Sequence, residues 1–236
     1  MGQPHLYSLI DKAVHEYQML PDGCRVLVGA SGGKDSTLLT EYLANRMKRR
    51  SGSRFSFSAH YIRTDFAPPF HAALRELFSS WQVDFTERQV DVLARLKPGR
   101  KMNCFWCSMQ RRTELIRYAL ENGYDTIALG HHLDDILETL LMNMLGKSVV
   151  STMPPVFQYE KYPLRIIRPL SLVPVSEIIS YAKAQGWEAM TCTCTYQDNS
   201  GRKEMRRRLE ALTDGDGQKK MRLFNALKNV QPEYLP

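Results

Sequence analysis

The chain has no apolar run approaching the roughly 18 residues of a membrane span, which argues against an integral membrane helix. It has few cysteines, five in 236 residues, and the count is odd: Cys24, Cys104, Cys107, Cys192 and Cys194. An odd set without a secretory context argues against a disulfide framework. It has no internal repeat and no low-complexity tract. Hydrophobic residues at 43% and charged residues at 24% are ordinary globular values, which excludes disorder, collagen and coiled coil. Met1 to Leu20 mixes His, Asp, Lys and Glu among its apolar residues and contains no signal-peptide h-region, so the expectation is a cytoplasmic protein. The length suits one α/β domain with a small appendage, and it can bury a full core without staples.

The charge is unbalanced. Lys and Arg number 32 against 25 Asp and Glu, a net +7. From Ser200 to Lys228 there are nine basic residues and four acidic ones, so +5 of that excess lies at the C-terminal end. Such a balance suits a polyanionic partner, although a solvated helix face would show it equally.

Apolar runs and turn residues alternate along the chain. Strands are predicted at Arg25–Gly29, Phe55–Ile62, Asp84–Val90, Thr126–Gly130 and Arg165–Ile167. Helices are predicted at Leu6–Leu20, Ser36–Arg49, Phe70–Gln82, Cys107–Glu121, Asp134–Leu145 and Val175–Gln185. Two basic helices follow at Gly201–Leu212 and Lys219–Leu227. Gly146–Pro163 reads as a long loop, and Gly99–Asn103 as a basic loop before a C-x-x-C. The alternation implies an α/β fold with a doubly wound, mostly parallel sheet, whose ligands sit beyond the carboxyl ends of the strands. The expected organisation is an N-terminal helix in 1–22, a nucleotide-binding domain in 23–195, and basic C-terminal helices in 196–236 packed on it.

Ser31-Gly32-Gly33-Lys34-Asp35-Ser36 follows a buried strand and opens a helix. There the free N–H groups and the helix dipole make an anion site, with Ala30 at its entrance. Gly32 and Gly33 allow close backbone approach, Ser31 and Ser36 add hydroxyls, Lys34 adds a point charge, and Asp35 is a candidate Mg²⁺ ligand. The Walker A pattern fails, because Gly29 and Gly33 enclose three residues and Asp35 follows Lys34. The loop instead resembles that of the PP-loop ATP pyrophosphatases, which cleave ATP between its α- and β-phosphates and adenylate a substrate. A second segment, Gly130-His131-His132-Leu133-Asp134-Asp135-Ile136-Leu137-Glu138-Thr139, follows the fourth strand. Its carboxylates read first as helix caps. In the PP-loop superfamily a similar segment lies across the ATP, which makes Gly130 and His131 nucleotide contacts and Asp135 a catalytic or Mg²⁺-binding carboxylate.

Cys24 precedes an apolar strand and reads as a core residue. Cys104-Phe105-Trp106-Cys107 and Cys192-Thr193-Cys194 read as metal or redox chemistry. Four thiolates would also suit a closed zinc site. Arg111 and Arg112 trail the first pair, and Cys194, Gln197, Asn199 and Arg202 keep fixed offsets after the second. Together with the phosphate loop, Arg168-Pro169-Leu170 and the tail from Phe224 to Pro232, these motifs closely resemble the tRNA 2-thiocytidine synthetases from about Gly23 to the C-terminus. The chain departs from that family at the C-x-C, at Thr195 and Tyr196, and at Arg63-Thr64-Asp65-Phe66.

The resemblance implies a PP-loop, adenine nucleotide alpha hydrolase-like fold. It implies a [4Fe–4S] cluster on Cys104, Cys107 and Cys194 with one iron open to carry sulfur, which suits three soft thiolates. It further implies ATP, Mg²⁺ on Asp35 and Asp135, a tRNA substrate, a cysteine desulfurase-type sulfur donor and a homodimer. The implied reaction adenylates an anticodon-loop cytidine and replaces its C2 oxygen with sulfur, with Lys34 and the loop amides stabilising phosphate charge. RNA contacts are expected from Arg111, Arg112, Arg202, Arg206 and Lys219, and from Arg95, Lys97, Arg100 and Lys101. The alternatives are thiolation of another nucleoside, a PP-loop amidating or lysidine-forming enzyme, an adenylating enzyme with structural zinc, and a metal-binding nucleic-acid module.

Overall fold

Val26, Leu27 and Val28 are all fully buried, so the strand they form, β1 (Arg25–Ala30), requires cover on both faces. The computed structural model describes residues 4–49, 52–187 and 200–234. In it β1 pairs in parallel with β2 (Ser56–Thr64) on one side and β4 (Thr126–Ala128) on the other. β3 (Phe85–Val90) extends the sheet beyond β2, and β6 (Arg165–Ile167) extends it beyond β4, again in parallel. The edge strand β5 (Val156–Gln158) runs antiparallel to β6 and completes a six-stranded sheet in the order β3-β2-β1-β4-β6-β5. The doubly wound, mostly parallel α/β sheet is therefore present. β5 lies within the segment expected to be a loop. Three residues between Pro155 and Pro163 are too few to show a period, and the strand exists because the free edge of β6 accepts it.

The helices are α1 (His5–Glu16), α2 (Lys34–Met47), α3 (Ala72–Ser80), α4 (Cys104–Glu121), α5 (Leu133–Lys147), α6 (Val175–Ala184), α7 (Ser200–Thr213) and α8 (Gly217–Ala226). The larger buried cluster joins one face of the sheet to Ile10 of α1, Leu39 of α2, Phe78 of α3, Ile136 of α5 and Ile178 of α6. Leu209 of α7 and Phe224 of α8 belong to the same cluster, so the two ends of the chain share one core with the sheet. A smaller cluster on the other face packs Leu115 and Ala119 of α4 against Leu27, Ile62, Ile127 and Ile166.

Charge also enters this core. Lys220 is buried, and its Nζ donates to Asp134 Oδ1 and to Glu210 Oε1, both at 2.7 Å. Asp134 Oδ2 accepts the N–H of Val175 at 2.8 Å, at the start of α6. One carboxylate thus ties together α5, α6 and α8. A buried ammonium needs such partners, because leaving either charge alone would cost several kcal/mol, roughly 3–5 by analogy with other buried pairs.

Candidate active site

Helices α2 and α4 begin earlier than the sequence pattern suggests, and both place chemistry in a first turn. α2 starts at Lys34 with Gly33 as its cap. Gly33 has no side chain, so the first-turn N–H groups are not drawn onto a capping group of that residue. α4 starts at Cys104 because Asn103 caps it, its Oδ1 accepting the Trp106 N–H at 2.8 Å. Cys104 therefore joins Cys107 in the helix, and the two sit one helical turn apart on neighbouring positions of one helix face.

The loop after β1 is held by its own serines. The Ser31 N–H donates to Ser36 Oγ at 3.1 Å, Ser36 Oγ donates to the Gly33 carbonyl at 3.0 Å, and the Gly33 N–H donates to Ser31 Oγ at 3.3 Å. Gly32 has φ +75°, a left-handed conformation that suits glycine. Lys34 Nζ pairs with its neighbour Asp35 at 2.9 Å, so in this state the lysine is held by that carboxylate.

The second segment approaches this loop closely. A Cβ on Gly130 would lie 3.0 Å from the Asp35 carbonyl carbon and 3.0 Å from the Ser36 nitrogen, tighter than nine in ten real Cβ contacts. His132 caps α5: its Nδ1 accepts the Asp135 N–H at 3.3 Å, and Asp135 Oδ2 accepts the His132 N–H at 3.2 Å. The helix cap is thus a histidine answered by Asp135, while Asp134 serves α6 and Lys220 instead. Burial alone would raise the Asp135 carboxyl. The His132 and His131 rings, the Arg202 guanidinium and the His132 N–H outweigh burial and hold it below the ordinary carboxylate value. Burial pushes His131 the other way, down to about 4, with Arg168, Arg112 and Arg202 adding repulsion against only partial relief from Asp135.

These parts meet at one open cleft of about 440 Å³ at the carboxyl ends of the strands. Ala30, Ser31, Asp35 and Ser36 line it from the phosphate loop, Gly130, His131 and Asp135 from the second segment, and Cys104, Cys107, Arg111 and Arg112 from α4. Of the expected loop residues, Gly32, Gly33 and Lys34 are not among its walls. His131 Nδ1 is buried and meets no hydrogen-bond partner among the described residues, and the same holds for His60 Nε2 and Arg168 Nε. Unpaired buried polar atoms at and beside a cleft fit a site that awaits a polar ligand.

The C-terminal basic residues expected to meet RNA also pair with carboxylates. Arg202 donates to Asp135 Oδ1 at 3.0 Å, and the half-exposed Arg206 donates to the fully buried Glu138 at 2.7 Å, so both pin α7 to α5. Burial pushes the Glu138 carboxyl up, with Arg206 opposing it. Lys219 pairs with Asp214, and Arg95 with the buried Glu114 at 2.7 Å. Cys192 and Cys194 lie outside the described residues. Among the described residues no three His, Cys, Asp or Glu side chains are grouped to hold a metal.

Comparison with known proteins agrees with this arrangement. A family model for the PP-loop domain matches residues 6–212. A tRNA-cytidine(32) 2-sulfurtransferase of Legionella pneumophila is 33% identical over 231 residues, spanning 95% of this chain and 80% of that protein. The chain belongs to the PP-loop family, among the tRNA-cytidine 2-sulfurtransferases. A Syntrophotalea carbinolica protein of the same name is 32% identical, spanning 97% of this chain and 90% of its own. Among solved structures, the U34-tRNA thiolase NcsA from Methanococcus maripaludis with its [4Fe-4S] cluster superposes with a TM-score of 0.72 at 22% identity. That match covers 97% of this chain and 79% of that one, and is a likeness of fold.

Within this PP-loop protein, one cleft residue was not legible in the sequence. His60 lies mid-strand on β2, buried, with Nδ1 against Thr86 Oγ1 at 2.6 Å and its ring stacked on Tyr118 at 3.6 Å. A lone histidine in an apolar strand looks like any core histidine, and only the register Gly29–His60–Thr86 sets it beside Gly29 in the wall of the cleft. Gly130 offers a direct test of how the two nucleotide segments fit. Gly130→Ala forces them apart at a strain of about 1–3 kcal/mol, and is expected to weaken binding of a non-hydrolysable ATP analogue roughly tenfold in titration calorimetry. Unchanged affinity would mean that the two segments do not share the nucleotide.

Proposed function

We propose that the protein is an ATP-dependent tRNA thiolase that replaces the C2 oxygen of an anticodon-loop cytidine with sulfur. One observation carries the reading: the phosphate loop, the Asp135 segment and the C-x-x-C turn line a single cleft, so activation and sulfur delivery share one chamber. The relatives named above act at cytidine 32, which supplies the substrate class.

The loop amides of α2, with Ser31 and Ser36, would hold the ATP phosphates. Asp35 and Asp135, the latter kept ionised by its neighbours, are the carboxylates available to Mg²⁺. The cytidine C2 oxygen attacks the α-phosphorus and pyrophosphate leaves, which turns a poor leaving group into AMP. Lys34, released from Asp35 when that carboxylate takes the metal, would stabilise the phosphate charge that develops. Arg111 and Arg112 face the same space and would steer the anionic substrates. His131 stays neutral there near pH 7, so it can accept or donate one hydrogen bond without adding charge. Sulfur at the sulfide level then adds to C2, the C2–O bond breaks, and AMP leaves with the former C2 oxygen.

Cys104 and Cys107, one turn apart and facing the cleft, fit two of the three thiolates that a [4Fe–4S] cluster with an open iron requires, and Cys194 is the third by sequence. Such a cluster would supply the sulfur-carrying iron, loaded by a cysteine desulfurase-type donor.

The test is anaerobic reconstitution followed by incubation with ATP, tRNA and sulfide. The expected result is tRNA-dependent pyrophosphate release and 2-thiocytidine in the nucleoside digest, from a brown protein carrying about four irons and four sulfides. Pyrophosphate release with no thionucleoside would overturn the thiolase reading. One tightly held zinc and no sulfide would remove the cluster from it.

A further inference from the structure

The first turn of α4 points its side chains in different directions. Cys104 and Cys107 line the cleft, and Trp106 packs against the smaller core cluster. Phe105, between them, is 78% exposed. Met109, one turn further along and 41% exposed, continues its face, and Arg112 follows at the cleft wall. A phenylalanine ring held in water beside a reaction cleft gives up the burial that an aromatic side chain ordinarily gains, and contributes nothing there to the core.

Its surroundings carry charge of one sign. Between Val92 and Thr113 there are six basic residues (Arg95, Lys97, Arg100, Lys101, Arg111 and Arg112) and no acidic one. Among the described residues only Arg95 of the six is tied to a carboxylate, Glu114. The exposed ring therefore lies in a stretch of positive charge, between two cysteines that line the cleft, where a polyanion would be drawn in.

We propose that Phe105 is the platform on which an RNA base stacks as the target nucleotide enters the cleft, with Lys97, Arg100, Lys101 and Arg112 neutralising the flanking phosphates. This rests on the tRNA thiolase reading and extends it by assigning the residue that receives the unstacked nucleotide. A base taken out of a loop loses its stacking partners, and a planar side chain at the entrance replaces one of them. Flanking lysines and arginines together with one isolated ring match single-stranded nucleic acid, which offers phosphates and flat faces in alternation. A protein partner would call for a broader apolar face.

The experiment compares wild type with Phe105→Ala, Phe105→Leu and Phe105→Trp. It measures tRNA affinity by fluorescence anisotropy, and thiolation kinetics with inorganic sulfide as the sulfur source. Phe105→Ala is expected to raise both the Kd and the KM for tRNA about tenfold or more, as loss of one stacked base does, while the KM for ATP and the iron content stay at wild-type values. Phe105→Trp should retain tight binding, and Phe105→Leu should behave like alanine, because area without a flat π-face does not stack. Unchanged tRNA affinity in Phe105→Ala, or full rescue by leucine, would overturn the proposal. So would a defect seen only when a cysteine desulfurase delivers the sulfur, since that result marks a protein-docking residue. If wild type forms no thionucleoside, the thiolase reading fails, and the anisotropy comparison still decides whether Phe105 holds RNA.

Discussion

Replacing Cys107 by serine is expected to lower tRNA thiolation by roughly three orders of magnitude, with ATP affinity within about twofold of wild type. The asymmetry follows from where the residue sits. Cys107 is in the first turn of α4, on a different element from the phosphate loop, and it is partly exposed, so removing its sulfur neither opens a core cavity nor touches the phosphate loop. A serine oxygen keeps the size but not the soft, polarizable donor that an iron–sulfur or zinc site needs. Cys24 provides the contrast. It is buried in the larger core cluster, where burial pushes its thiol up. Cys24→Ala is therefore expected to cost stability and leave thiolation per folded molecule unchanged. The checks are thionucleoside yield by mass spectrometry, iron content, and calorimetric ATP titration on the same preparations. Comparable thiolation by Cys107→Ser would remove the C-x-x-C from the chemistry. A parallel loss of ATP affinity would make the turn a scaffold of the nucleotide site.

The second large effect is on stability in mild acid. Burial pushes His60 and His131 down to about 4, with Arg88 adding to the effect at His60 and the cleft arginines at His131. In the unfolded chain both return to about 6.5. The unfolded state therefore binds more protons than the folded state between pH 6.5 and pH 4. The stabilisation from keeping these rings neutral is complete above the unfolded value and is lost as pH falls through that window. Each histidine contributes a slope of up to about 1.4 kcal/mol per pH unit. Glu41 and Glu138, pushed up by burial, act with the opposite sign above pH 4.5, and the depressed Asp135 acts only below its ordinary 3.8. The histidine effect is isolated by comparing urea unfolding of wild type and His60→Phe from pH 7 to pH 4.5. Phenylalanine preserves the stack on Tyr118 and removes the titration. The variant is expected to lose less stability per pH unit than wild type. Equal slopes would mean that His60 takes up its proton as readily in the folded state as in the unfolded chain.

Much of this molecule was legible in its residues. Val26–Val28 announced a doubly buried strand by being uniformly apolar. The glycines and serines of 31–36 announced a phosphate loop, because few other residues permit that backbone path. The alternation of strands with amphipathic helices settled the parallel sheet, since only crossover helices connect parallel strands. These are local signals, carried by side-chain size, φ freedom and periodicity within a dozen residues.

Tertiary structure decided what each charge was for. Asp134 and Asp135 are adjacent and look equivalent, but one is locked to Lys220 and to the start of α6 while the other faces the cleft. Arg202 and Arg206 read as a nucleic-acid surface, and only the fold shows that they also neutralise Asp135 and Glu138 across α5 and α7. β5 exists only because β6 offers an edge, and His60 joins the cleft only through its register with Gly29 and Thr86. In each case the deciding energy lies in a partner distant along the chain. A charge or a short strand carries no local mark of its partner, so its role emerged only when the fold brought that partner within hydrogen-bonding distance.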